Sequence, residues 1–160
     1  MGGCLPLETP PEQFQVAWVS PLGQSVGAHA SIQVVRVAEL RKLVEARAKD
    51  ETAVLRALGL LGKRQEPHSD YKITIFDVKR DWLCRPMDAD EGTTEAGMAV
   101  CPAEMQHPAA RTRASSYSGC GYLNGTETGE RTLDIWRLEW ENAVSWGFCV
   151  LPLGRFLGGA

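Results

Sequence analysis

Nucleophilic and acid–base side chains gather between residues 84 and 131 of this 160-residue chain. A thiol attacks an electrophilic carbon when a neighbouring histidine takes its proton, and carboxylates act as general acids or bases. The candidates for such a site are Cys120, His107, Asp88 and Asp90. Cys120 stands between two glycines, which would present it on a tight turn. A small enzyme is therefore one predicted function, with a plain turn as the simpler interpretation.

Metal binding is disfavoured by the spacing of the possible ligands. The set that would suit tetrahedral zinc is Cys84, Cys101, His107 and Cys120. It lacks the close pair of cysteines or histidines found in the common zinc patterns. The acidic run from Asp88 to Glu95 has Thr93 and Ala99 where a calcium loop needs glycine and glutamate. We predict no metal site and no cofactor.

The cysteines favour a reducing compartment. They are odd in number, widely spaced and never arranged as Cys-x-x-Cys, and they stand at Cys4, Cys84, Cys101, Cys120 and Cys149. This pattern is more typical of reduced thiols than of a disulfide framework, so we predict a soluble, cytoplasmic protein. Asn124-Gly125-Thr126 is formally a glycosylation acceptor, but without a signal peptide we interpret it as a turn.

The remaining cues limit the partners. The 17 basic and 20 acidic residues give a net charge of −3, without the basic excess typical of nucleic-acid binders. No apolar run is long enough for a transmembrane helix. Gly2 and Cys4 resemble the start of a doubly lipidated arm, but Pro6 stands where such a motif usually has serine or threonine. An unmodified N-terminal arm is favoured over a lipid anchor.

Apolar periodicity predicts several strands. Phe14, Val16 and Trp18 alternate with less apolar residues, and further extended segments are predicted at 31–37 and 71–83. From Thr132 to Leu153, two alternating apolar runs flank Glu141-Asn142, which predicts a β-hairpin with that pair as its turn.

Between these strands the period becomes helical. Apolar residues recur at steps of three and four from Ala38 to Leu61, at Leu40, Leu43, Val44, Val54, Leu55, Leu58 and Leu61. The middle of this block has no large apolar residue, so one long helix and a helix pair capped at Asp50 both remain open. Gly62 is the predicted stop.

These elements predict one α+β domain over residues 1–160. Its small, mostly antiparallel or mixed sheet would have four to five strands, with one helical block packed on a face. Residues 1–12 would form an irregular arm because of their prolines, and residues 85–131, which have little periodicity, would form a long irregular loop.

The tryptophans decide the leading functional hypothesis. All five lie in predicted strands, and a small sheet with so many indoles would expose some of them to a partner. We predict a non-catalytic protein-binding or assembly subunit that uses a Trp-rich sheet face or its helix, with Trp136, Trp140 and Trp146 as binding residues. The partner would be another protein or a second copy of the chain. The small enzyme remains the alternative.

Overall fold

The computed structural model describes residues 11–24, 26–27, 30–61, 67, 70–85, 99–102, 122–124 and 131–158. Within these residues the predicted α+β class is confirmed: helices pack on a mostly antiparallel sheet. Most of the predicted loop 85–131 and of the predicted arm 1–12 lies outside the described residues.

Five strands of at least five residues form the main part of the sheet. They are β1 (Gln13–Pro21), β2 (Ser31–Arg36), β3 (Tyr71–Lys79), β7 (Arg131–Glu139) and β8 (Phe148–Pro152). The predicted four to five strands match these longer strands in number, but the sheet of the described residues contains more. Three shorter strands were not predicted: β4 (Leu83–Arg85), β5 (Ala99–Val100) and β6 (Tyr122–Asn124). Two or three residues are too few to produce a recognisable alternation.

The order of the strands differs from their order in the sequence. It runs β5-β4-β7-β2-β1-β3-β8, and β6 pairs separately with β7. Neighbouring strands are antiparallel except for the short pair β4 and β5. The register of β1 and β3 runs from Gln13 opposite Lys79 to Pro21 opposite Tyr71. In this strand order β1 lies inside the sheet, between β2 and β3.

The helical block is a pair, α1 (Val37–Ala46) and α2 (Glu51–Ala57). Ala48 and Lys49, between them, have positive φ angles of 54° and 59°, which no α-helix accommodates. Asp50 begins α2 because its side chain accepts a hydrogen bond from the Ala53 amide at 3.1 Å. Of the two alternatives for this block, the structure thus contains the capped pair.

Gly59, rather than the predicted Gly62, provides the glycine stop of α2. It has a φ angle of 78°. Its amide donates to the Arg56 carbonyl at 3.0 Å, and the next amide, of Leu60, donates to Leu55 at 2.9 Å. These two bonds form a Schellman motif, whose left-handed residue is most readily glycine. The prediction of Gly62 was wrong because the last apolar position, Leu61, is buried after the helix has already ended.

The predicted hairpin of residues 132–153 is wrong. A short helix, α3 (Trp140–Ser145), occupies the place of its turn, and β8 pairs with β3 instead of β7. Three strands, β2, β1 and β3, lie between β7 and β8. Trp140, Ala143 and Val144 have helical spacing, and all three pack against the sheet. Their burial outweighs the local preference for a tight turn.

Helices pack on both faces of the sheet, and successive residues of its inner strands, which point to opposite sides, are buried alternately in two cores. One face packs against α1, α2 and a C-terminal helix, α4 (Leu153–Leu157), which confirms the predicted helical cover. The other face packs against α3 through Val16, Val34 and Trp136. The central strand is accordingly buried at every position from Val16 to Ser20.

Two cysteines predicted as reduced thiols form a disulfide. Cys84, on β4, is bonded to Cys101, which follows β5 directly, and Cys149 is a free, exposed thiol. The spacing was misleading because β4 and β5 pair in parallel and bring distant residues together. The cytoplasmic location remains a prediction. Cys84 and Cys101 no longer argue for it, because they are not reduced thiols.

The described residues contain no cluster of three or more metal-ligating side chains. None of the helices in the same residues has the length and apolar character needed to cross a membrane.

Candidate protein-binding surface

The three tryptophans predicted to bind a partner have different environments. Trp136, on β7, is fully buried and has no surface to offer a partner. Trp140, the first residue of α3, is half-buried, and Trp146, at the end of α3, is 43% exposed. The expectation that every indole lies in a strand is wrong for these last two and for Trp82, which lies in a 3₁₀ turn, Arg80–Trp82. Of the predicted binding residues, Trp140 and Trp146 can reach a partner.

An aromatic cluster occupies the face of the sheet that α3 covers. It consists of Trp18, Phe76, Trp140 and Phe148. Trp140 stands at its centre, with ring centroids 5.8 Å from Trp18, 5.9 Å from Phe76 and 6.2 Å from Phe148. The first two contacts are edge to face, at interplanar angles of 70° and 87°. This geometry places positive ring edges on negative ring faces and is stabilising beyond the buried area alone.

A second aromatic pair lies at the end of α3. The rings of Trp82 and Trp146 have centroids 4.7 Å apart. The exposed Lys79 places its Nζ 5.8 Å from the Trp82 ring centroid and 5.4 Å from that of Trp146. An ammonium is attracted to the negative faces of indole rings at such distances. Lys79 forms no ion pair with any carboxylate of the described residues.

Three large apolar side chains at this end of the molecule are exposed to solvent. Trp146, Phe148 and Val150 are 43%, 50% and 49% exposed. Phe148 and Val150 alternate on β8, opposite Phe76 and Thr74 of β3, so they project from the face that carries the aromatic cluster. We call these three residues the apolar strip. Single exposed apolar residues are ordinary, whereas neighbouring exposed apolar residues are typical of interaction surfaces. Here two of them alternate along β8, and the third precedes that strand by two residues.

The strip lies on the edge of the sheet. Among the described strands β8 pairs only with β3, so its other side presents backbone amides and carbonyls without strand partners. Strand β8, Phe148–Pro152, has no charged residue, and its one proline is its last residue. Charges and internal prolines are the usual protection of an edge strand against pairing. This edge lacks both.

The other face of β8 has a different character. Leu151 packs against the core on the helical side, whereas Cys149 is exposed and unpaired. The exposed apolar surface of β8 is therefore mainly on the side of the aromatic cluster.

The structure does not describe the residues proposed for catalysis. Cys120, His107, Asp88 and Asp90 lie outside the described residues, as do Gly2 and Cys4 of the possible lipid anchor. Of the cysteines considered for zinc, Cys84 and Cys101 are joined to each other.

Sequence reasoning did not identify Phe148, Val150 and Lys79 as part of this surface. The alternation from Trp146 to Val150 indicated a strand at Phe148–Pro152, but the predicted hairpin placed this strand beside β7 and not at the sheet edge next to β3. Lys79 could not be associated with Trp146 without the pairing of β3 and β8. The one available signal was that residues 143–153 contain no charge.

No known protein family, curated protein or solved structure matches this chain significantly.

Proposed function

We propose that this chain is a non-catalytic protein-binding or assembly subunit that binds its partner through the apolar strip. The observation that carries the proposal is the roughly half exposure of Trp146, Phe148 and Val150 beside a packed aromatic cluster. Aromatic side chains on a rigid support lose little conformational freedom on binding and commonly dominate interface energies. Phe76 and Trp140, whose rings contact that of Phe148, supply such a support.

A protein partner suits this surface better than a nucleic acid. Base stacking uses exposed rings, but it is accompanied by a cationic groove that follows the phosphates. The strip itself is uncharged, and the whole chain has a net charge of −3. The apolar strip would gain most from burial against apolar side chains.

The strip is also a better contact surface than the first helix. The large apolar residues of α1, Leu40, Leu43 and Val44, are buried against the sheet. Its outer side presents Arg41, Lys42 and Glu45 to solvent. This is the ordinary pattern of a helix that covers its own core.

The test compares Phe148→Lys with Leu22→Lys in the full chain. Leu22 is 53% exposed in the turn after β1, so its variant adds the same charge outside the strip. Proteins captured from cell extract are identified, purified and titrated against each variant. We expect Phe148→Lys to weaken binding at least about tenfold, or about 1.4 kcal/mol, and Leu22→Lys to leave it unchanged.

Folding is checked by circular dichroism and thermal unfolding of both variants. The proposal fails if the purified partner binds Phe148→Lys as tightly as the wild type. It also fails if no protein, including the chain itself, binds the wild type.

A further inference from the structure

The edge strand, the apolar strip and Lys79 together restrict how a partner binds. We infer that the partner adds an extended, apolar segment to β8 as a further strand and places a carboxylate beside Lys79. This inference rests on the proposed function and specifies the chemistry of the partner at that surface.

The backbone of β8 determines the form of the incoming segment. Its outer amides and carbonyls have no strand partner among the described residues. A segment in extended conformation satisfies these groups through main-chain hydrogen bonds, as in other cases of strand addition to a sheet edge. A helix lying on β8 would leave them unsatisfied and excluded from water, which is unfavourable.

The side chains of β8 determine which residues the segment carries. Phe148 and Val150 stand two residues apart on the same face and are each about half exposed. Alternate residues of an added strand would lie beside them at the same spacing. Apolar or β-branched residues at those positions would bury both side chains, and pairs of this kind stabilise neighbouring strands.

The charge at one end of the strip selects the partner further. The Lys79 ammonium lies over the Trp82 and Trp146 rings, is exposed, and forms no ion pair with a described carboxylate. Trp146 precedes β8 by two residues, so this ammonium marks the Phe148 end of the strand. A carboxylate on the partner could pair with the Lys79 ammonium, which the Trp82 and Trp146 rings hold in position.

The same charge argument disfavours a second copy of this chain as the occupant. In an antiparallel pair of β8 strands, the Phe148 end of one copy meets the Pro152 end of the other. The first charged residue after Pro152 is Arg155, which is exposed. Self-association would therefore bring cations towards Lys79, whereas an acidic segment brings the opposite charge.

The experiment uses two labelled peptides of alternating threonine and valine. One begins and ends with glutamate, so that either orientation brings a carboxylate to Lys79, and the other begins and ends with lysine. Binding to the full chain is followed by fluorescence anisotropy at low salt. We expect the glutamate peptide to bind about three- to fivefold more tightly, with the difference shrinking at high salt.

Charge reversal provides the decisive comparison. Lys79→Glu should invert the preference between the peptides, whereas Lys42→Glu, the same change on the exposed side of α1, should preserve it. A glutamate peptide with methylated backbone amides should not bind, since it cannot form the main-chain bonds.

The inference would be overturned if Lys79→Glu left the preference for the glutamate peptide unchanged, or if the methylated peptide bound as tightly as its parent. It would also be overturned if neither peptide bound at about millimolar concentration, where even weak strand addition is detectable. A dimer of the chain that Phe148→Lys dissociates would overturn it in favour of a second copy. In each case a protein partner sensitive to Phe148→Lys would leave the proposed function standing.

Discussion

Cys84 and Cys101, 17 positions apart in the sequence, are joined across the parallel pair of β4 and β5. The ladder that this bond supports contains just two residue pairs, Cys84 with Ala99 and Arg85 with Val100. So short a parallel ladder contributes little by itself, and the covalent bond holds β5 at the edge of the sheet.

Removing this disulfide should destabilise the protein. Closing a loop of about 15 residues lowers the entropy of the unfolded chain by an amount equivalent to about 3 kcal/mol. We expect the double variant Cys84→Ala/Cys101→Ala to lose about 2–3 kcal/mol of unfolding free energy in urea titrations. Cys149→Ala is the control, since that thiol is free and exposed. Equal losses in the two variants would contradict a structural role for the bond.

Ala48 should be replaceable by glycine with a gain in stability. Ala48 is exposed and has a φ angle of 54°, at the position where a Schellman motif favours glycine. Its amide donates to Glu45, and the following amide, of Lys49, donates to Val44. We expect Ala48→Gly to raise the thermal midpoint, with a stabilisation of about 0.5–1 kcal/mol.

The control for this prediction is Ala53→Gly inside α2. There the backbone is helical, and glycine should cost about 1 kcal/mol relative to alanine. If both substitutions destabilise the protein, Ala48 does not have the left-handed conformation in solution.

The two phenylalanines that pair between β3 and β8 should differ in their contribution to stability. Phe76 is fully buried and Phe148 is half exposed, although their rings are in contact at 5.7 Å. We expect Phe76→Ala to cost about 3–5 kcal/mol of unfolding free energy and Phe148→Ala about 1 kcal/mol. A large loss from Phe148→Ala would mean that the side chain supports the core and is not available to a partner.

Ser20 offers a test of the central strand. Its Oγ is buried and has no hydrogen-bond partner among the residues that the structure describes. Removing a buried hydroxyl without a partner relieves the cost of its desolvation. We therefore expect Ser20→Ala to stabilise the protein by about 1 kcal/mol in urea unfolding. A clear destabilisation would show that the hydroxyl is bonded in solution.

Much of the local structure could be predicted because it depends on short-range patterns. The alternation around Val16 predicted β1, and the steps of three and four from Leu40 to Leu61 predicted the helical block. The cap at Asp50 was recognisable from its residue type. The candidate surface was predicted in part, through Trp140 and Trp146.

The sequence by itself thus determined the class of the fold, the places of its longer strands and helices, and the likelihood of an aromatic surface. It did so because side-chain periodicity depends on residues a few positions apart. Tertiary structure decided that β8 crosses to the far edge, that Cys84 meets Cys101, and that Lys79 lies over Trp146. Each of these contacts depends on which strands become neighbours. The arrangement of neighbouring strands buries Trp136, Ala143 and Phe76 in one core. These residues are far apart in the sequence, so no local pattern predicts the arrangement.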